Sequence, residues 1–327
     1  MKNQNLAKKA NGLFFTVVLL SLLANIFVSW LEIKGISIHI VANLLVSQMI
    51  IIVPGLVFYV FITRENIPFR MYKPIKPLSV LLLLVFTWLL MPLVTAANAF
   101  SQLFTKNELM DISGSILSLP FIPMVLIMGI VGPFCEEFVF RGLINNCFVY
   151  QTGRYVASGL VSGLFFGLMH MNFNQFCYAF ILGLVFALID EVLESTWPSF
   201  ICHAIVNTQN VCMLYITDSI MQKMYGLNIS ETYSKSFTDA ANGFGKMAIL
   251  VMFVGLLVVS IVTTLLACLL FYGISAIEGK EDRVKALFAK NTNEKKEKLV
   301  FWMGTTAILF CIFVMFLLDP LLNFIKK

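Results

Sequence analysis

Apolar residues in this chain run on for about twenty positions at a time instead of alternating or recurring at helical spacing. Such runs fall near 13–31, 38–62, 78–97, 117–149, 155–171, 176–193, 197–217, 246–275 and 299–325. Crossing the hydrocarbon core of a bilayer takes about 20 apolar residues of helix. Backbone polar groups in lipid must be satisfied within the segment, so each run predicts a helix. The pattern therefore predicts an all-α polytopic membrane protein with about eight to nine transmembrane helices, forming a single transmembrane domain over 1–327. Polar residues gather in 63–77, 98–116, 218–245 and 276–298, which read as loops. The third of these is rich in Ser, Thr, Asn and Gly and reads as a cap or a mobile loop. The last mixes Lys with Glu and Asp, which suits a solvated helix or loop.

Composition agrees: 59% of the 327 residues are hydrophobic and only 13% charged, with a mean hydropathy of +0.88, beyond the range of a soluble domain. The net charge of +5 does not point to nucleic acid, because the basic residues lie between the apolar runs and not on one face. They mark topology instead. Lys2, Lys8, Lys9, Arg64, Arg70, Lys73, Lys76, Arg154 and the seven basic residues from Lys280 to Lys298 fall on one side of a nine-span path, which predicts a cytoplasmic N-terminus. No small-residue cleavage site follows the first run, so it reads as a retained helix. The seven cysteines show no Cys-x-x-Cys spacing, and neither a disulfide framework nor a cysteine metal site is expected.

Helices 4 to 7 differ from the rest by the polar groups they carry. The stretch Gly132-Pro133-Phe134-Cys135-Glu136-Glu137-Phe138-Val139-Phe140-Arg141-Gly142 places three charges in an apolar run. One charge at a bilayer centre costs at least ~2.5–3.5 kcal/mol, and such residues default to a functional role. Glu137 and Arg141 are four apart, hence on one helix face and able to pair. Glu136 points about 100° away around the helix. A carboxylate without a nearby cation in a low-dielectric site suits a general base or acid, so Glu136 is the candidate catalytic group and Glu137 with Arg141 the support. Pro133 predicts a kink or a helix start.

His170 follows Gly159, Gly163 and Gly167, a ridge of small residues that lets a neighbouring helix come close. His203 and Asn207 are four apart on another apolar helix. Such a pair can glue helices together or donate to a developing oxyanion. His39 has no similar companion and reads as structural.

Together, Glu136-Glu137-x-x-x-Arg141, Phe166-x-x-x-His170 and His203-x-x-x-Asn207, in that order on membrane helices, resemble the CPBP family, the CAAX protease and bacteriocin-processing family of intramembrane proteases, also called Abi. The resemblance covers about 115–215, with 1–114 and 216–327 as flanking helices. It implies an endopeptidase, similar to CAAX prenyl protease 2, that cuts a membrane-associated or lipidated substrate in a catalytic cavity among helices 4 to 7. In that reading Glu136 activates water, His170 helps to position it, and His203 with Asn207 supports the oxyanion. Glu136, His170 and His203 could also complete a three-ligand zinc site; the same groups can act without a metal, and Asn207 beside His203 favours that form. Two other readings stay open: a transporter or proton relay, against which no inverted repeat is visible, and a non-catalytic immunity or scaffold member of the family. The apolar runs set His170 about fifteen residues into its helix and His203 about six, an offset of ~13 Å at 1.5 Å per residue. The two should be level to share a site.

Overall fold

A computed structural model of the chain describes residues 5–63, 73–229, 244–289 and 297–318. Arg64, Arg70, the basic residues between 290 and 296, the centre of the stretch 218–245 and the end of the last apolar run lie outside the described residues.

Each apolar run is a helix. In chain order they are α1 (Leu6–Ile33), α2 (Ile40–Phe58), α3 (Pro77–Gln102), α4 (Phe121–Thr152), α5 (Tyr155–Met169), α6 (Phe173–Leu193), α7 (Trp197–Tyr225) and α8 (Phe244–Ile277), then the short α9 (Glu281–Phe288) and α10 (Trp302–Phe313). Two helical turns, Glu108–Asp111 and Ser113–Leu117, lie inside the expected loop between α3 and α4. No strand occurs among the described residues. Among the described residues, six helices are long and apolar enough to cross a membrane: α1, α2 with its π-helical end, α3, α4, α6 and α8; α5 and α10 are apolar but shorter. The protein is an all-α polytopic membrane protein.

Helix α4 is not a uniform helix. An α-helical segment, Gly132–Glu137, is flanked by π-helical turns at Val125–Val131 and Phe138–Asn145. The Gly132 amide reaches back to the Ile127 carbonyl, a five-residue step. Pro133 has no amide to donate, so the ladder changes register there at little cost. The residue that read as a kink or a start thus opens the segment that carries both glutamates. Wide π turns of this kind occur often at functional sites.

The glycine ridge of α5 does what its spacing predicts. Gly163 lies against the backbone of α6, where an added Cβ would come within 2.8 Å of the Leu184 nitrogen and 3.1 Å of the Gly183 carbonyl carbon. Only two facing glycines allow that approach, and dispersion between close backbones drives helix pairing in lipid. Gly163→Ala is expected to destabilise the protein by about 1–3 kcal/mol, read as a lower melting temperature in detergent. Gly255→Ala, on α8 with nothing within 4 Å of its added Cβ, is the matched control and should not shift it.

Three apolar clusters build the interior among the described residues, the smallest around Ile116, Met124, Val211 and Leu214. Of the two larger, one joins α1, α4, α5 and α10 around Phe14, Phe140, Phe148 and Phe165, with Phe14 stacked on Phe165 at 4.0 Å. The other joins α3, α6, α7 and α8 around Leu83, Phe86, Phe186 and Val192. Phe166 belongs to the first and Phe186 to the second, and the polar residues of α4, α5 and α7 meet where the clusters adjoin. At one end of the bundle, α9 is pinned to the end of α6: Arg283 Nη1 lies 3.1 Å from Glu194 Oε1, and its Nε–H donates to the Glu191 carbonyl at 3.1 Å. The expected solvated helix in 276–298 is this clasp.

Candidate active site

The α-helical segment of α4 presents two adjacent carboxylates to different surroundings. Glu137 is fully buried, with Oε1 3.0 Å from Arg141 Nη1, the expected pair. That contact is held by charge and not by an aligned hydrogen bond, since none of the three guanidinium nitrogens has a hydrogen-bond partner. The guanidinium rests on aromatic faces instead, 4.2 Å from the centre of the Phe166 ring and 5.4 Å from that of Phe186. Ring quadrupoles attract a cation in this way, more strongly where water is excluded.

Glu137 also holds a second partner that helical spacing did not reveal. His203 Nδ1 lies 2.8 Å from Glu137 Oε1. An ionised carboxylate only accepts, so Nδ1–H donates and the ring offers Nε2 to the other side. That atom stands 3.7 Å from Glu136 Oε2. Arg141 thus pairs with Glu137 and not with Glu136, which faces the histidine that Glu137 orients.

His170 closes α5 where the chain turns sharply into α6. Its Nδ1 lies 3.0 Å from the Phe166 carbonyl one helical turn earlier, which again leaves Nε2 for the cavity. The next residue, Met171, has φ 55°, a left-handed conformation unusual for a side-chain-bearing residue. Asn172 then caps α6: it accepts from the Gln175 amide at 2.7 Å, and its own amide donates to Gln175 Oε1 at 2.7 Å and to the His170 carbonyl at 3.2 Å. This is a capping arrangement readable from Asn172-x-x-Gln175, and it fixes the turn that carries His170.

On α7, Asn207 Nδ2 donates to the Met128 carbonyl at 3.2 Å, which leaves its second N–H free to act. The start of α7 is capped from outside, by Asp190 of α6. Asp190 accepts from the Ser199 amide at 3.0 Å and from its hydroxyl at 2.6 Å. Asp190, near the end of α6, is a buried structural cap.

Glu136, His170, His203 and Asn207 line one cavity of about 360 Å³, while Glu137 and Arg141 sit behind its wall. The cavity is not confined to helices 4 to 7. Residues of α1 and α2, among them Asn25, Asn43 and Gln48, form its opposite side. Apolar runs carry no record of which helix lies against which, so that wall could not be assigned from the chain. The Phe166 ring meets both imidazoles edge to face, at 5.3 and 5.6 Å between centres. No three His, Cys, Asp or Glu among the described residues stand close enough to enclose a metal ion. The set Glu136, His170 and His203, as placed, does not fit one.

Comparison with known proteins agrees with this geometry. Residues 118–209 match the family model described as type II CAAX prenyl endopeptidase, Rce1-like. A protein of Bacillus subtilis (strain 168), YdiL, provisionally named a membrane peptidase, is 29% identical over 90 residues, 28% of this chain and 36% of that relative. The match thus spans little more than a third of the relative's length. No solved structure matches the chain. The matched segment begins just before α4 and ends just after Asn207, so it contains every motif residue and both sides of the Glu137–His203 contact. Over residues 118–209 the chain is thus similar to the type II CAAX prenyl endopeptidase family.

Proposed function

We propose that the chain is an intramembrane endopeptidase in which Glu136 activates water against a peptide carbonyl. The observation that carries the reading is the 3.7 Å separation of Glu136 Oε2 and His203 Nε2 at the cavity wall, a spacing that one water bridges. Glu136 takes the proton as the water oxygen attacks the carbonyl carbon. The free N–H of Asn207 faces the resulting oxyanion. The C–N bond then breaks as the proton passes from Glu136 to the leaving nitrogen. His170 offers Nε2 to the same water, and Glu137 with Arg141 keeps His203 in place. No step is routed through a metal. The substrate is a membrane-associated or lipidated chain, of the CAAX-like kind, and the N-terminus of the protease lies on the cytoplasmic side.

The test is reconstitution in bilayers with a pool of hydrophobic and lipid-anchored peptides, with products read by mass spectrometry. New termini with the wild-type chain, absent with His203→Leu, sustain the proposal. Proton flux into the vesicles without new termini would replace it by a relay.

A further inference from the structure

The wall of the cavity opposite Glu136 has a chemistry of its own. Asn25 on α1 and Asn43 and Gln48 on α2 all line it. Asn25 lies in the second half of α1 and Asn43 in the first turn of α2, and both are exposed. Gln48 is half-buried, and its Oε1 is shielded from solvent with no hydrogen-bond partner. Its amide stands beside Gly132, one turn before Glu136: a Cβ added to that glycine would lie 3.6 Å from Gln48 Nε2. A shielded carboxamide costs free energy unless it is paired, and the unpaired Gln48 Oε1, with Asn25 and Asn43 lining the same cavity, calls for an occupant that pairs with it.

The occupant's chemistry follows from what the wall offers. A carboxamide presents both a donor and an acceptor, the same complement as a main-chain amide. Among the described residues lining the cavity there is no lysine or arginine, and Arg141 is spent on Glu137 behind the wall. A terminal carboxylate or a phosphate would enter beside Glu136 with no cation to receive it. A neutral main chain would not meet that obstacle, and its N–H groups would satisfy Gln48 Oε1.

We infer that Asn25, Asn43 and Gln48 form a main-chain-binding wall that holds an extended, internal segment of the substrate across Glu136, and that the cavity does not use the substrate's C-terminal carboxylate as its handle. The inference rests on the protease reading and deepens it by naming the part of the substrate that is held.

The experiment uses the full chain in lipid nanodiscs with the Glu136→Gln substitution, and a pool of labelled hydrophobic 14-residue peptides made as C-terminal carboxylates and as carboxamides. Fluorescence anisotropy is expected to give the same Kd for both forms. Gln48→Leu, or Asn43→Leu, in the same background is expected to raise both about tenfold, the effect of one lost hydrogen bond. Carboxylates binding tenfold more tightly, unchanged Kd in both leucine variants at an unchanged melting temperature, or no binding of either form would overturn it. The two readings separate cleanly. Wall-dependent binding with no cleavage by the wild-type chain removes the protease and leaves the wall. Cleavage whose KM is unmoved by Gln48→Leu removes the wall alone.

Discussion

Glu136→Gln is expected to lower kcat on any cleaved peptide by about 10²- to 10⁴-fold, with the protein still folded and inserted. Glutamine keeps the shape and one acceptor oxygen but cannot take the proton from water. The fold should tolerate it because the nearest ion-pairing group to Glu136 is the His203 ring, whose Nε2 stands 3.7 Å from Oε2, beyond hydrogen-bond distance. A neutral amide is also less costly than a carboxylate in this medium. The measurement is kcat beside a melting curve in detergent. Full activity at an unchanged melting temperature would dismiss Glu136 as the base.

Arg141→Met should have the largest effect on stability. It leaves the Glu137 carboxylate buried without its cation, which costs about 3–5 kcal/mol when one member of a buried pair is removed. It also strips the charge from between the Phe166 and Phe186 rings. The second substitution Glu137→Gln on top of it should recover most of that loss, because glutamine needs no counter-ion and its Oε1 still accepts from His203 Nδ1. Folded yield and melting temperature of the single and double variants check this. A single variant as stable as wild type would show that the pair does not hold the helices.

The sequence carried the fold further than the site. Runs of twenty apolar residues leave little choice but helices, and each run is one, with bounds displaced by a few residues where polar side chains still fit a helix, as in α7 beyond residue 217. Spacing by four paired Glu137 with Arg141 because both lie on one element. Contacts between elements were out of reach. Glu137 meets His203 across 66 positions, and nothing local in either helix announces it. Asp190 meets its partner, Ser199, across a turn, where helical spacing gives no guide. The wall of Asn25, Asn43 and Gln48 was hidden for the opposite reason: each is a lone amide in an apolar run, and only the packing of α1 and α2 against the cavity gives them a common purpose.

The π-helical turns on either side of Gly132–Glu137 give α4 a phase as well as a composition. Each such turn holds an extra residue relative to an α-helix, and one residue is about 100° of rotation. The bearing of the glutamates is set by this backbone register and not by a side chain of Val125–Val131 reaching them. Loss of a single residue there would let the ladder close into an ordinary helix and swing Glu136 away from His203, with every catalytic residue still in the chain. For this helix the reading frame of the backbone is as much a part of the chemistry as the carboxylates it carries.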